Sequence, residues 1–235
     1  MSKLHQLAQL REAAPVVLPS LLLCDFGNME REVQELEAAG VRGFHLDVMD
    51  GHFVPNMSYG LPIVEAMRRL TDLPLDVHLM ITNPSQYVQR FAEAGADILT
   101  IHAEAVEDPQ PVLEEIRKLG VGAGLAINPT TSVEQIATAL PLCDMVLVMS
   151  VMPGFGGQEF DRVALAKLQT LRAMLSEKGA SDDVLLEVDG GVNEETISAC
   201  GKAGAQLLVA GSAIFREPDY AAAVAKLTRL AGASS

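Results

Sequence analysis

Eight short apolar segments recur along the chain, and longer amphipathic segments separate them. This alternation limits the possible folds more than any other feature, because strands that alternate with helices form βαβ crossovers and a parallel sheet. The helical patterns include Met29–Ala39, Leu61–Leu70, Ser85–Ala94 and Arg162–Lys178. The predicted strands are Val16–Leu23, Gly43–Met49, Leu73–Met80, Ile98–Glu104, Gly122–Ile127, Met145–Val151, Val184–Val188 and Gln206–Ala210.

The glycines between these segments distinguish a closed barrel from an open sheet. Gly40, Gly95 and Gly204 each follow a helical pattern, as expected for a left-handed cap before the next strand. An open doubly wound sheet usually has a glycine-rich turn after its first strand. Here the glycine turns follow strands six, seven and eight, where barrels often bind phosphate. The sequence therefore predicts a single α/β domain, a (β/α)8 TIM barrel over residues 15–235, after a short helical extension over residues 1–14.

The composition excludes several classes of partner. The 235-residue chain has 17 Lys and Arg against 31 Asp and Glu, a net charge of −14, which argues against a nucleic-acid or anionic-membrane partner. A phosphate can still be bound by backbone N–H groups. Three cysteines without a CxxC pair favour a reducing cytoplasm over a disulfide framework. The apolar runs are too short to span a bilayer, so we expect a soluble cytoplasmic protein.

Four polar residues fall at the carboxyl ends of predicted strands, where this fold places its chemistry. His45 and Asp47 share one face of strand two, His78 lies on the same kind of face in strand three, and Asp189 ends strand seven. Imidazole and carboxylate together suit Zn²⁺, Fe²⁺ or Mn²⁺. Each residue alone could be a buried polar group paired with a neighbour. Four such residues at the ends of three strands favour a metal site.

Other polar residues on these strands rank lower. His102 shares a strand face with Glu104 and is a rival ligand or substrate contact, although a core histidine with satisfied hydrogen bonds is the favoured interpretation. Asp76 and Glu187 lie one layer deeper in the barrel, and we expect both to make structural hydrogen bonds.

Three successive glycine turns form a second group. Glycine permits tight turns and close backbone approach, so N–H groups can converge on an anion. One such turn would indicate only a tight connection, but three in successive units favour a phosphate site. The turns are Pro153-Gly154-Phe155-Gly156-Gly157, Gly190-Gly191 and Gly211-Ser212.

Three methionines, Met49, Met80 and Met149, lie near the ends of strands two, three and six. Methionine most often fills a core. Because Met49 and Met80 share the faces of the candidate ligands, an apolar wall around a reacting centre is an equally open interpretation.

Several segments together resemble the signatures of the ribulose-phosphate 3-epimerase family. The resemblance runs in order over essentially the whole predicted barrel, so the combination is more specific than any one segment. The segments are Leu46–Asn56, Asp76–Met80, Pro153–Gln158, Glu187–Val192 and Val209–Phe215, with Pro19-Ser20 and Asp25-Phe26 near the start.

The resemblance implies a role for each of the singled-out residues. One divalent ion per subunit (Zn, Fe, Mn or Co) would be bound by His45, Asp47, His78 and Asp189, and the two aspartates would form the acid/base pair. Ser20 and His78 would contact the substrate. The phosphate end would be lined by Gly154, Phe155, Gly156, Gly157, Gly190, Gly191, Gly211 and Ser212.

The implied activity is the interconversion of D-ribulose 5-phosphate and D-xylulose 5-phosphate through an enediolate, within the pentose phosphate pathway. Similar epimerases assemble, so we expect a homo-oligomer. Met152 stands where the family often has a polar residue, commonly Asn, which leaves the preferred sugar length open. The main alternative is therefore a 3-epimerase acting on D-allulose 6-phosphate.

Two further alternatives are less favoured. A decarboxylase or aldolase on a phosphate-binding barrel would normally have a lysine at a strand end. Strands two, three, six, seven and eight have none. A non-catalytic barrel would have little reason to keep two opposed aspartates and two imidazoles together.

Overall fold

Eight parallel strands form one sheet in the order β1-β8-β7-β6-β5-β4-β3-β2. The sheet curls so that Ser20, just after β1, forms a backbone bridge with His45 of β2, which brings the two edge strands together. This arrangement confirms the predicted barrel. The strands are β1 Val16–Pro19, β2 Phe44–Met49, β3 Leu75–Met80, β4 Ile98–His102, β5 Gly122–Ile127, β6 Met145–Met149, β7 Leu185–Asp189 and β8 Leu207–Ala210.

The computed structural model describes residues 3–177, 179–180 and 183–233. The end of the predicted helix at Lys178, the first two residues of the predicted extension and the last two of the predicted barrel lie outside the described residues. The helices are α1 Lys3–Ala13, α2 Met29–Ala38, α3 Leu61–Leu70, α4 Val88–Ala94, α5 Gln110–Lys118, α6 Val163–Glu177, α7 Ile197–Ala203, α8 Ser212–Phe215 and α9 Tyr220–Gly232. None of the helices in these ranges is long and apolar enough to cross a membrane.

The connection between β5 and β6 departs from the helix-strand alternation. It consists of two short 3-10 helices, Val133–Ile136 and Leu140–Leu142. Pro129 and Pro141 each lack a backbone donor, and the Thr-Thr-Ser run at 130–132 favours turns. A full helix is therefore not formed in this unit.

Three predicted strands end earlier than expected, and in two of them a turn follows at once. β1 stops at Pro19, and the side chain of Ser20 then accepts a hydrogen bond from the N–H of Leu22. β4 stops at His102, and a 3-10 turn over Ala103–Ala105 follows. β6 stops at Met149. The predicted ends at Leu23, Glu104 and Val151 were too late.

The glycine caps take the conformation that the sequence predicts. Gly95 and Gly204 have φ values of +118° and +115° at the ends of α4 and α7. A Cβ on Gly95 would meet the side chain of Arg68 at 2.5 Å. Glycine is needed at this position both for the backbone angle and for the close approach of the neighbouring helix.

The core has a closed end and an open end. Every strand residue is buried except Asp189 at the end of β7, which is partly exposed. At the amino-terminal end of the barrel, Leu7 and Leu10 of α1 complete an apolar cluster whose other members are Val16, Leu18, Ile98, Met145, Leu185 and Leu207. Polar side chains inside the barrel can therefore meet solvent or a ligand only at the opposite, carboxyl end.

This packing generates a stability prediction for α1. Replacing the fully buried Leu10 with alanine leaves a cavity beneath the barrel, and we expect a loss of roughly 2–5 kcal/mol in the free energy of unfolding. The matched control is Gln9→Ala on the exposed side of the same helix, which should change it by less than about 0.5 kcal/mol. Urea denaturation followed by circular dichroism measures both. Equal, small effects would show that α1 does not contribute to the barrel core.

Candidate functional site

The polar side chains of β2 and β3 lie together because the two strands pair in register, with Asp47 beside His78 and His45 beside Asp76. The Nδ1 atom of His78 lies 3.1 Å from Oδ1 of Asp47. The Nε2 atom of His45 lies 3.3 Å from the same oxygen. Asp47 therefore occupies the centre of this group.

Two further residues reach Asp47 from other strands. Ser20, directly after β1, donates its hydroxyl hydrogen to Oδ2 of Asp47 at 2.6 Å. Asp189 enters from the end of β7. One ligand atom from each member of the set lies within 4.8 Å of all the others, the set being His45, Asp47, His78 and Asp189.

The donor atoms of this set fit a divalent cation. Nε2 of His45 is buried and has no hydrogen-bond partner among the described residues, while Nδ1 of the same ring lies 2.5 Å from Oδ2 of Asp76. A carboxylate partner of this kind fixes the tautomer and orientation of a ligating imidazole. Two imidazole nitrogens and two carboxylate oxygens match the ligands that Zn²⁺, Fe²⁺, Mn²⁺ and Co²⁺ accept. The four residues are therefore grouped so that they could hold a divalent metal ion.

The two aspartates have opposite electrostatic environments. Burial raises the pKa of Asp189 to about 7, and the negative charge of Asp47 adds to the increase. Burial would also raise the pKa of Asp47, but the positive charge and close approach of His45, together with the hydrogen bond from His78, outweigh it and lower that pKa. Paired carboxyls whose pKa values are driven apart are typical of an acid and base acting together.

The two imidazoles also differ. Burial would lower the pKa of His45, but Asp47 and Asp76 raise it well above its usual value. His78, by contrast, has a pKa lowered to about 4, chiefly by burial. Without a cation, His45 is thus charged and His78 is neutral.

The deeper layer contains one expected and one unexpected arrangement. Asp76 pairs with His45, as predicted. Neither carboxyl oxygen of Glu187 has a hydrogen-bond partner among the described residues, and Oε1 lies 3.6 Å from Nδ1 of His45. The expectation of a structural hydrogen bond for Glu187 was therefore wrong. Burial and the neighbouring Asp76 raise its pKa well above the usual value, so the side chain is held neutral.

His102 is fully buried, and both of its ring nitrogens have partners, as expected for a core histidine. One partner is Glu104, whose Oε2 lies 3.1 Å from Nδ1. The other is His78, whose Nε2 lies 2.8 Å from Nε2 of His102. The only sign of this second contact in the sequence is the placement of both residues on neighbouring strands.

A cavity opens above Asp47 and Asp189 at the carboxyl end of the barrel. Met49, Met80 and Met149 form part of its wall. His45 and His78 are fully buried behind Asp47 and are not among the described residues that line it. The remaining residues that the resemblance assigns to the substrate all line the cavity, namely Ser20, Gly154, Phe155, Gly156, Gly157, Gly190, Gly191, Gly211 and Ser212.

The glycine turns bring backbone rather than charged side chains to this cavity. Gly191 has a φ of +60°, and a Cβ there would lie 2.6 Å from the backbone nitrogen of Phe160. Among the described residues that line the cavity, none is lysine or arginine. An anion bound there would have to be held mainly by N–H and hydroxyl groups.

Met152 lies outside this wall. The cavity is lined by Val151 and Pro153 on either side of it, while Met152 itself is 52% exposed. Its apolar side chain therefore gives no direct indication of the length of sugar that the cavity accepts.

The fold and the site define a (β/α)8 barrel with a candidate metal centre of two histidines and two aspartates at its mouth. The chain belongs to the ribulose-phosphate 3 epimerase family, an enzyme family of the isomerase class, whose model matches residues 16–215. A ribulose-phosphate 3-epimerase of Bacillus subtilis is 48% identical over 211 residues, which cover 90% of this chain and 97% of that protein. One of Mycobacterium bovis is 46% identical, covering 94% of this chain and 95% of that protein.

Solved structures with low sequence identity support the fold alone. The 3-hexulose-6-phosphate synthase from Salmonella typhimurium superposes with a TM-score of 0.68 at 14% identity, covering 94% of this chain and 100% of that one.

The electrostatics of the site predict that metal binding releases protons. A carboxyl must be ionised to bind a cation, and Asp189, with a pKa of about 7, is largely protonated below that pH. We expect the affinity for Mn²⁺ to rise by at least about tenfold between pH 6 and pH 8, because Asp189 must lose its proton, and to go on rising above pH 8, because His45 must also lose one. Isothermal titration calorimetry in two buffers with different ionisation enthalpies counts the protons released. An affinity that does not depend on pH would contradict the arrangement described for Asp189.

Proposed function

We propose that this protein interconverts D-ribulose 5-phosphate and D-xylulose 5-phosphate by moving the proton at C3. The observation that carries the proposal is the pair of carboxyls, Asp47 and Asp189, that line one cavity from β2 and β7. Relatives that share 46–48% identity over most of the chain bear the name of this activity.

The reaction explains why two carboxyls are needed. The C3 proton lies next to the C2 carbonyl, so its removal leaves an enediolate. Inversion requires removal of a proton from one face of the carbon and delivery of a proton to the other. Around the closed barrel, β1 and β8 lie between β2 and β7 on one side and β3 to β6 lie between them on the other, so the two aspartates approach the cavity from different directions. One carboxylate accepts the C3 proton, the other carboxyl donates its own, and the roles exchange in the reverse reaction.

We propose that His45, Asp47, His78 and Asp189 hold one divalent ion per subunit, either Zn, Fe, Mn or Co. Such an ion would act as a Lewis acid on the C2 carbonyl and make the C3 proton more acidic. Ser20, whose hydroxyl donates to Asp47, faces the cavity and would orient the sugar. His78 is buried behind Asp47, so the ligand role has more support than direct contact with substrate.

The phosphate of the substrate would lie at the glycine turns. The residues from Gly154 to Gly157, the pair Gly190-Gly191, and Gly211 with Ser212 present their backbone to the same cavity as the two aspartates. Backbone N–H groups can bind a phosphate without lysine or arginine. The apolar wall of Met49, Met80 and Met149 would exclude water from the enediolate.

We further propose that the protein is cytoplasmic and forms a homo-oligomer, with no nucleic-acid or membrane partner. These remain predictions from the sequence. Size-exclusion chromatography with light scattering measures the mass in solution, and a monomeric mass of 25.0 kDa would contradict the second of them.

Substrate profiling tests the proposed function against its alternative. Protein that has been treated with a chelator and reloaded with Zn²⁺, Fe²⁺, Mn²⁺ or Co²⁺ is assayed with D-ribulose 5-phosphate, D-allulose 6-phosphate and unphosphorylated ribulose. We expect kcat/KM to be highest for D-ribulose 5-phosphate, because a sixth carbon must fit between C3 and the phosphate turns. A higher value for D-allulose 6-phosphate would favour the six-carbon epimerase, and no turnover of either phosphate would exclude both.

Removing either carboxylate tests the acid/base pair. Asp47→Asn and Asp189→Asn keep the shape of the side chain but cannot transfer the proton, so we expect kcat to fall by about 10²–10⁴-fold in each. Asp72→Asn, the same change on the exposed surface, is the control and should leave kcat unchanged. Metal content is measured in each variant. Near-native kcat in either active-site variant would contradict the two-base mechanism.

A further inference from the structure

The glycine turn after β6 is bound to a loop that lies outside the cavity. Gly154 is buried, whereas residues 155–157 after it are exposed. The carbonyl oxygen of Gly154 accepts a hydrogen bond from Nδ2 of Asn56 at 2.6 Å, which supplies the donor that a buried carbonyl needs. The two loops also touch, since a Cβ on Gly154 would lie 3.2 Å from Cδ of Pro55. Asn56 itself belongs to the loop between β2 and α3 and is not among the described residues that line the cavity.

The two partners of the Asn56 amide fix its orientation. Its Oδ1 accepts a hydrogen bond from the backbone N–H of Met57 at 2.9 Å. A backbone N–H only donates and a backbone carbonyl only accepts, so the NH2 group must be the side of the amide that faces Gly154. Asn56 therefore acts on the glycine turn as a donor, and a side chain of the same shape without an NH2 group cannot replace it.

The hydrogen bond from Asn56 also sets the direction of the next N–H group. The peptide bond between Gly154 and Phe155 is trans, so its C=O and N–H point in opposite directions. The C=O points to Asn56, outside the cavity wall, and the N–H of Phe155 points the other way. Because Gly154 and Phe155 both line the cavity, this N–H is directed towards it.

Other carbonyls of the turn are occupied in a similar manner. Nε2 of Gln158 donates to the carbonyl oxygens of Met152 and Phe155, each at 2.8 Å. By contrast, the N–H groups of residues 154–157 donate to no group in the described part of the chain. The acceptors of the turn are thus bound by side-chain amides, while its N–H groups can bind an anion in the cavity.

The loop that carries Asn56 is itself fixed to β2. The hydroxyl of Ser58 donates to the backbone carbonyl of Asp47 at 2.5 Å and accepts from the N–H of Met49 at 3.0 Å. The hydroxyl of Tyr59 accepts from the backbone N–H of Asp47 at 3.0 Å. Asn56 therefore connects the glycine turn to the strand that carries one of the two proposed acid/base residues.

We propose that Asn56 is a positioning residue that holds the peptide after Gly154 with its N–H towards the phosphate of the substrate. The proposal rests on the phosphate site of the proposed function, but not on the length of the sugar. Without this donor, the Gly154 carbonyl would turn towards water in the cavity, where its partial negative charge would repel a phosphate. The phosphate contact is the same in the ground state and the transition state, so its loss raises KM and leaves kcat nearly unchanged.

Two variants remove the donor in different ways. Asn56→Asp keeps the shape and the acceptor for the Met57 N–H but has no NH2 group, and Asn56→Leu has a similar shape without a charge. In both we expect KM for D-ribulose 5-phosphate to rise by about tenfold, as for loss of one hydrogen bond to a charged group. We expect kcat to stay within about threefold of wild type.

Met57→Asp is the matched control for charge. It places the same carboxylate one residue further on, where the side chain is 73% exposed, and leaves the Asn56 amide intact. KM should change by less than about threefold, because solvent screens an exposed charge. An unchanged KM in Asn56→Leu, with the fold verified by circular dichroism, would overturn the proposal. A fall in kcat at constant KM would also overturn it, since Asn56 would then act on the chemistry rather than on phosphate binding.

A binding measurement separates this proposal from the proposed function. D-ribitol 5-phosphate has no carbonyl and cannot react, and its affinity for the metal-loaded protein is measured by isothermal titration calorimetry. We expect its dissociation constant to be about tenfold higher in Asn56→Asp and Asn56→Leu than in wild type. Equal affinity in all three proteins, or no binding to wild type, would overturn the proposal. If the proposed function alone fails, the affinities still differ as expected, but D-ribulose 5-phosphate is not turned over.

Discussion

The buried carboxylate of Asp47 is the constraint around which the open end of the barrel is arranged. A buried charge is costly unless hydrogen bonds and opposite charges compensate it. Asp47 is 3% exposed, and its carboxylate is met by the Ser20 hydroxyl and by both candidate histidine ligands. These contacts come from the residue after β1, from β2 and from β3. The same contacts that stabilise the charge therefore also bring the candidate metal ligands together.

The site contains more acidic side chains than basic ones. Asp47, Asp76, Glu187 and Asp189 surround His45, and only two imidazoles lie among them in the described part of the chain. Without a cation, bound protons neutralise part of the excess negative charge, since burial raises the pKa of Asp189 to about 7 and that of Glu187 well above its usual value. A divalent ion would replace protons at Asp189 and His45. Metal binding, the protonation state of the acid/base pair and the stability of the barrel mouth are thus coupled.

Much of the fold was predictable from the sequence, because buried parallel strands are short apolar runs and their alternation with helices is a local signal. The four candidate ligands were also predictable, since each falls at a strand end and shares a strand face with another or precedes a glycine turn. Their roles remain proposals.

Other features depend on contacts that no local pattern encodes. The contact between His78 and His102 joins β3 to β4, and the sequence showed only that each lies on a strand. Glu187 looked like an ordinary buried hydrogen-bonding group, yet its environment is set by Asp76 and His45 from other strands. The sequence did not indicate that Leu7 and Leu10 close the barrel, because their helix was predicted only as a short extension.

The most direct test of a two-carboxylate epimerase is the origin of the hydrogen at C3 of the product. D-ribulose 5-phosphate with ordinary hydrogen at C3 is converted in D₂O by the metal-loaded protein, and the first D-xylulose 5-phosphate formed is analysed by mass spectrometry. With Asp47 and Asp189 on different sides of the carbon, we expect one deuterium at C3 in each product molecule from the first turnover. Product that retains the hydrogen of the substrate would show that one base serves both faces and would contradict the mechanism.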